Sequence, residues 1–201
     1  MISDRLRQWS RCIVEPIARG MHRLGITPNA LTLLGFLLNL LNAWLLARGY
    51  LALGGVLILV FSALDAFDGT LARISNQATR FGAFLDSVLD RYSEAAIYFG
   101  LLVYFARHGR HEELYLTYAA IIGSQLVSYT RARAEGLDLS CQVGWFSRVE
   151  RIIALSLGLI VGWIRPVLWL LAILTNLTAA QRMLHVYRLT RSKPAAGAAK
   201  E

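Results

Sequence analysis

Long apolar stretches separated by short polar segments constrain the fold of this chain more than any other feature. Several of them reach the roughly 18–20 residues that a helix needs to cross the hydrocarbon core of a bilayer. A helix satisfies its own backbone hydrogen bonds in lipid, whereas a lone strand does not. With 56% hydrophobic and only 17% charged residues, the chain is predicted to be an all-α integral membrane protein.

The apolar stretches predict six transmembrane helices, near residues 29–47, 51–73, 79–106, 114–133, 147–163 and 165–188. Before them, apolar residues recur every three or four positions between residues 2 and 24, and arginines fill the other faces. This pattern predicts an amphipathic helix that lies on the membrane surface. The predicted organisation is a juxtamembrane helix (1–26), a six-helix transmembrane domain (27–190) and a disordered tail (191–201).

The distribution of basic residues predicts how the chain is oriented. The formal net charge is +8, but lysines and arginines occupy the short segments between apolar stretches rather than a polar domain, which argues against nucleic acid binding. Six spans place both termini on one side, and seventeen basic residues fall on that side against four on the other. Because basic residues accumulate in the cytoplasm, the prediction is a multi-pass protein of the cytoplasmic membrane with both termini facing the cytoplasm.

Four aspartates lie where the second predicted helix ends and the third begins. Asp65 and Asp68 are three residues apart, and Asp86 and Asp90 are four apart, so each pair shares a face of its helix. A carboxylate inside a membrane costs about 2.5–3.5 kcal/mol on insertion scales, and four converging carboxylates repel one another. Divalent cations that prefer oxygen ligands remove both problems. The aspartates are therefore predicted to bind Mg²⁺ or Mn²⁺, as two ions.

Small and basic residues accompany these aspartates. Gly69 follows Asp68 directly, and Gly82 lies one turn before Asp86; their missing side chains allow a flat or bulky ligand to approach the backbone. Arg73, one turn beyond Gly69, can donate to a phosphate. The alternative is a set of buried salt bridges with glycines for tight helix packing, but few basic residues lie near enough to balance four acids.

This combination resembles the signature of the CDP-alcohol phosphotransferase family in every spacing. The matching run is Asp65-x2-Asp68-Gly69-x2-Ala72-Arg73-x8-Gly82-x3-Asp86-x3-Asp90. The resemblance covers most of the chain, since the amphipathic segment, the six spans and the cytoplasmic position of the motif also agree. It implies a membrane enzyme that transfers a phosphatidyl group from CDP-diacylglycerol to a hydroxyl group and releases CMP.

The resemblance also implies roles for individual residues. The four aspartates would hold two metal ions at the pyrophosphate of the CDP-alcohol, and Asp90 would be the general base that deprotonates the incoming hydroxyl. The alkoxide would attack the β-phosphorus, and CMP would leave with its charge spread over the metals and Arg73. The residues expected to contact the CDP-alcohol are Asn29, Asp65, Gly69, Arg73, Thr79 and Gly82.

A second basic set, in the C-terminal half, bears on the acceptor. The segments 86–91, 128–136 and 148–151 resemble the branch of the family formed by prokaryotic phosphatidylinositol-phosphate synthases. That branch commonly has lysine at the position of Arg131, and arginine keeps the charge. Arg182 lies in an apolar span, where a cation is expected to find an anionic partner. By this resemblance, the residues expected to bind the acceptor phosphate are Arg131, Arg148, Arg151 and Arg182.

The favoured acceptor is therefore a phosphorylated polyol, with inositol phosphate ahead of glycerol 3-phosphate. A homodimer is also expected from the resemblance. The alternative from another class is a divalent-cation channel or carrier in which the acids would form a permeation site. That alternative accounts for the aspartates, but it accounts neither for the two glycines nor for Arg73.

Overall fold

The computed structural model describes residues 16, 19, 20, 25, 27–74 and 79–192, and of these the side chains of residues 64–69, 72, 73 and 192 lie outside the description. Most of the predicted juxtamembrane helix (1–26) and of the predicted tail (191–201) therefore lies outside the described residues. The part of the chain that is described forms six helices and no strand, which confirms the all-α prediction.

The six helices are α1 (Pro28–Ala47), α2 (Leu51–Ile74), α3 (Arg80–Arg107), α4 (His111–Glu135), α5 (Arg148–Val161) and α6 (Ile164–Ser192). Each corresponds to one predicted span, and the differences occur at helix ends. Helix α4 begins three residues early because Glu112 and Glu113 occupy its first turn, where the helix dipole favours negative charge. Helix α5 ends early because Gly162 takes a left-handed φ of 83°, which stops a helix.

Two helices of the described chain are long and apolar enough to cross a membrane by length and composition, Pro28–Ala47 and Ile164–Arg191. A shorter apolar stretch covers Leu51–Ala63. The chain divides into two compact units, Met1–Tyr104 and Phe105–Glu201, with the boundary inside α3.

In the first unit, α1 makes close contacts with α2 and α3 at two glycines. Asn42 Nδ2 of α1 donates to the carbonyl oxygen of Gly54 at 3.1 Å. A Cβ added to Gly54 would lie 2.3 Å from Leu46 Cδ2, and a Cβ added to Gly100 of α3 would lie 2.2 Å from the carbonyl oxygen of Ala43. Small residues at such crossings are typical of membrane helices, because they let two backbones approach closely.

In the second unit, α6 packs against both α4 and α5. Glu113 and Arg165 meet at the starts of α4 and α6, and Gly123 and Thr175 meet about two to three turns further along each helix. Helices α4 and α6 are therefore parallel. Two residues separate the end of α5 from the start of α6, and a connection this short makes α5 antiparallel to α6.

A buried ion pair joins the starts of α4 and α6. The Glu113 side chain is only 1% exposed, and it accepts hydrogen bonds from Arg110 at 2.6 Å and from Arg165 at 2.9 Å. Burial by itself raises the pKa of the Glu113 carboxyl, but the hydrogen bonds from Arg110, its own backbone amide and Arg165 outweigh burial and lower the pKa to about 2. The carboxylate therefore stays ionised and holds the two helices together at neutral pH.

We expect Gly100→Ala to destabilise the protein. The new methyl group would meet the backbone of Ala43 rather than the tip of a flexible side chain, so the two helices must separate. Overpacking of this kind lowers the unfolding midpoint of a chain of this size by about 2–10 °C. Thermal unfolding of the purified protein, followed by circular dichroism, measures the change.

Gly136→Ala is the matched control, because a Cβ at Gly136 comes no closer than 3.4 Å to another residue and its φ is −71°. Its midpoint should stay within about 1 °C of the wild type. Equal midpoints for Gly100→Ala and Gly136→Ala would contradict the close contact between α1 and α3.

Candidate active site

The predicted acidic motif lies on α2 and α3, in the first unit. Asp65 and Asp68 belong to the second half of α2, whose backbone stays helical through Ile74, and Asp86 and Asp90 belong to the first three turns of α3. Five residues join the two helices, so the end of α2 lies within roughly 20 Å of the start of α3. The side chains of Asp65 and Asp68 lie outside the described part of the chain.

Asp86 and Asp90 are both half-buried on one face of α3. The Asp90 side chain is 15% exposed, and its Oδ2 lies 3.6 Å from Nη1 of Arg91. Arg91 Nη1 also donates to the carbonyl oxygen of Ser87 at 2.8 Å, which turns the guanidinium back along the helix. The Asp90 carboxylate therefore has a positive charge beside it, and some of its surface is open to a ligand.

The donor atoms of this motif fit a hard divalent cation. All four predicted ligands offer carboxylate oxygens, which are the ligands that Mg²⁺ and Mn²⁺ prefer. Among the side chains that the structure describes, no group of three or more Asp, Glu, His or Cys residues lies close enough together to hold a metal ion. Asp86 and Asp90 are the described half of the predicted set, and their partial exposure allows an ion to reach them.

The start of α3 forms a small polar surface around Gly82. The backbone N–H of Gly82 donates to Thr79 Oγ1 at 2.9 Å, which caps the helix. A Cβ added to Gly82 would lie 3.0 Å from Asn29 Oδ1 and 3.1 Å from Thr79 Oγ1. The structure therefore brings three of the six predicted CDP-alcohol contacts together, from α1, the loop before α3 and α3 itself.

The other predicted contacts lie on α2. Gly69 and Arg73 belong to its helical backbone, together with Asp65. The side chain of Arg73 lies outside the described residues, and so do the surroundings of Gly69. Their predicted roles rest on the sequence motif.

The predicted acceptor arginines lie in the second unit. Arg182 on α6 is only 5% exposed, and it interacts electrostatically with Arg131 of α4 and Arg151 of α5. Arg151 is only 1% exposed. Arg148 is the first residue of α5, and the three-residue spacing places it on the same face as Arg151. Three helices thus contribute cations to one region.

The sequence predicted an anionic partner for Arg182. In the structure, two of its nitrogen atoms instead donate to backbone carbonyl oxygens. Its Nε donates to the carbonyl oxygen of Val143 at 2.8 Å, and its Nη1 donates to the carbonyl oxygen of Val127. Gly144, with a φ of 142°, allows this approach, because a Cβ there would lie 2.8 Å from Thr178 Cγ2 and 3.3 Å from Arg182 Nε. Arg182 therefore holds the loop before α5 against α4 and α6.

Two acidic residues beside these arginines were not predicted as part of a site. Arg131 Nε donates to Glu135 Oε1 at 2.8 Å, four residues along α4. Ser147 at the start of α5 donates to the carboxylate of Glu150. Both contacts have a sequence signal, since the first is an i, i+4 ion pair and the second has the spacing of a capping box.

Comparison with known proteins agrees with the motif. The sequence profile of the CDP-alcohol phosphatidyltransferase family matches residues 25–185. The archaetidylinositol phosphate synthase of Pyrococcus horikoshii is 37% identical over 171 residues, which cover 85% of this chain and 88% of the relative. The phosphatidylinositol phosphate synthase of Mycobacterium tuberculosis is 37% identical over 182 residues, which cover 85% of this chain and 84% of the relative.

Solved structures of the M. tuberculosis phosphatidylinositol phosphate synthase have a similar fold. The crystal structure with CDP-DAG bound has a TM-score of 0.84 and 34% identity, and the match covers 94% of this chain and 98% of that chain. The crystal structure in complex with manganese and citrate has a TM-score of 0.83, and the match covers 94% and 93%. The chain therefore belongs to the CDP-alcohol phosphatidyltransferase family.

Proposed function

We propose that this protein transfers the phosphatidyl group of CDP-diacylglycerol to a hydroxyl group of inositol phosphate and releases CMP. Membership of the family supports the reaction class. The grouping of Arg131, Arg151 and Arg182, of which two are buried, carries the choice of a phosphorylated acceptor, and the inositol phosphate synthases among the relatives favour inositol phosphate over glycerol 3-phosphate. Several guanidinium groups in one place suit a phosphate, which several forked donors bind best.

The CDP-alcohol would bind at the acidic motif of the first unit. Asn29 Oδ1 and Thr79 Oγ1 lie next to Gly82, and the space that a side chain would fill there remains available to the nucleotide. Gly69 would leave similar room on α2. Arg73 would donate to the pyrophosphate, and Asp65 would contact the donor as well as a metal ion.

Asp90 would act as the general base. The four aspartates would hold two Mg²⁺ or Mn²⁺ ions, which supply positive charge where the transferred phosphate gains negative charge. Asp90 accepts the proton of the acceptor hydroxyl, and the hydroxyl oxygen forms a bond to the β-phosphorus. The bond between that phosphorus and the oxygen of CMP breaks, and CMP leaves.

The acceptor phosphate would bind to the arginines of the second unit. Arg148 and Arg151 would donate from one face of α5. Arg131 is 51% exposed, so its guanidinium can reach a soluble ligand. Arg182, whose Nε and Nη1 already donate to backbone carbonyls, would contribute its charge and its remaining N–H groups.

The protein would span the cytoplasmic membrane six times as one catalytic domain (27–190), with both termini in the cytoplasm. The apolar stretches of Pro28–Ala47 and Ile164–Arg191 are only 33% and 39% buried, whereas the core helix of a soluble protein would be mostly buried. Residues 1–26 would lie on the membrane surface, and 191–201 would form a disordered tail. The protein is also proposed to form a homodimer.

An acceptor assay tests the proposed function. Purified protein with CDP-diacylglycerol and Mg²⁺ or Mn²⁺ should release CMP when inositol phosphate is added, and the lipid product should carry both phosphates. Chelation with EDTA should abolish CMP release, and added divalent metal should restore it, because the metal ions would supply the positive charge that stabilises the transferred phosphate. CMP release and product mass are the two measurements.

Glycerol 3-phosphate and unphosphorylated inositol serve as parallel acceptors. Faster turnover with glycerol 3-phosphate would replace the proposed acceptor with the alternative one. Metal flux into proteoliposomes without nucleotide, together with no CMP release from CDP-diacylglycerol with any acceptor, would favour a channel or carrier.

Asp90→Asn should lower kcat by about 10²–10⁴-fold, because the amide cannot accept the proton of the hydroxyl. Asp138→Asn is a control of the same chemistry on an exposed residue after α4, and its φ of 57° is one that asparagine tolerates. Its turnover should match the wild type. Near wild-type turnover of Asp90→Asn would rule out Asp90 as the base.

Gly82→Ala should raise the KM for CDP-diacylglycerol about tenfold, because one extra methyl group would crowd Asn29 and Thr79. The KM for the acceptor should stay within about twofold. Gly136→Ala, which has space for a methyl group, is the control. An unchanged donor KM in Gly82→Ala would place the nucleotide elsewhere.

A further inference from the structure

We propose that Glu135 is a positioning residue for the acceptor phosphate, because it holds the guanidinium of Arg131 by one edge and leaves the other edge for the ligand. The inference rests on the proposed function, in which Arg131 binds that phosphate. It assigns a role to a carboxylate that would otherwise be expected to repel an anionic substrate.

The contact between the two side chains uses a single nitrogen of Arg131. Nε donates to Glu135 Oε1 at 2.8 Å, and the side chains of Arg131 and Glu135 are 51% and 50% exposed. A guanidinium carries five N–H donors, four of them on Nη1 and Nη2. In the described part of the chain, Nη1 and Nη2 of Arg131 make no hydrogen bond or ion pair. They are therefore available as the forked pair that binds phosphate bidentately.

The surroundings of Arg131 explain why it needs an anchor. Arg182 interacts electrostatically with both Arg131 and Arg151, and these like charges repel one another; Glu135 interacts favourably with Arg182. A half-exposed arginine has a long flexible side chain, so repulsion from buried cations would turn it towards solvent. Glu135 opposes that movement, and its charge offsets part of the repulsion before an anionic ligand arrives.

A purely structural role is the competing explanation. An exposed ion pair at i, i+4 adds slightly to helix stability whether or not the helix takes part in ligand binding. Such a role would change the unfolding midpoint without changing acceptor binding relative to donor binding. Steady-state kinetics with both substrates separates the two explanations.

The experiment compares wild type, Glu135→Ala and Glu135→Gln at varied inositol phosphate and CDP-diacylglycerol. Glu135→Ala should raise the acceptor KM about fivefold, the effect of losing one exposed ion pair, while kcat and the donor KM stay within about twofold. Glu135→Gln should raise the acceptor KM by less than Glu135→Ala does, because its amide oxygen still accepts from Nε of Arg131 although the charge is lost.

Two further variants make the comparison specific. Glu112→Ala is the matched control, since Glu112 is also on α4, is 46% exposed and pairs with Arg165 at 3.4 Å; its kinetic constants should equal those of the wild type. The double variant Arg131→Ala/Glu135→Ala should have an acceptor KM no higher than that of Arg131→Ala, because the contact by which Glu135 helps the ligand is the one with Arg131.

An unchanged or lowered acceptor KM in Glu135→Ala would overturn the inference, and so would an equal rise in Glu135→Gln or a further rise in the double variant. The proposed function fails separately. If the wild type uses another phosphorylated alcohol, inositol phosphate is the wrong acceptor, and the same variants measured with that alcohol still test Glu135. If no phosphorylated acceptor leads to CMP release from CDP-diacylglycerol, both the proposed function and the proposed role of Glu135 are wrong.

Discussion

A charged side chain among apolar helices must have its charge balanced, and this requirement governs both units of the protein. The charge of Glu113 is balanced by two arginines, which keep the carboxylate ionised and join α4 to α6. Arg182 meets the same requirement with two backbone carbonyls from a loop and a neighbouring helix. For the aspartates of α2 and α3, the proposed partners are metal ions. On that proposal, the same constraint that stabilises the second unit provides the chemistry of the first.

The helices could be predicted from the sequence because apolar stretches of membrane length have few other stable forms. Helix ends were harder, since they depend on single residues such as Gly162, whose left-handed φ ends α5. The grouping of Asn29, Thr79 and Gly82 follows from short connections near one motif. The approach of Gly144 to Arg182 joins residues 38 positions apart, and no local pattern in the sequence indicates it. The i, i+4 spacing of Arg131 and Glu135 is visible in the sequence. The negative charge of Glu135, however, argues against placing it beside a phosphate-binding site.

The arginines proposed to bind the acceptor phosphate differ in how firmly they are held. Arg151 and Arg182 are buried, and Arg182 is fixed by the loop that Gly144 brings close to α6. Arg131 is half-exposed and pairs with Glu135. If these arginines bind the acceptor, the region would combine a permanent positive potential from the buried cations with one exposed donor that can adjust to the ligand. Selectivity among phosphorylated alcohols would then depend more on the exposed donor than on the buried pair.

The contact between Gly100 and Ala43 also has a mechanical consequence for the proposed nucleotide site. Ala43 and Asn29 lie 14 residues apart on α1, a separation of about 21 Å along a straight helix. A change in the contact between Gly100 and Ala43 would therefore be amplified along α1 by the time it reaches Asn29. A tilt of about 5° at that contact would move Asn29 by about 2 Å, more than a hydrogen bond tolerates. Packing at Gly100 would thus affect how closely Asn29 approaches Gly82 and Thr79 at the start of α3.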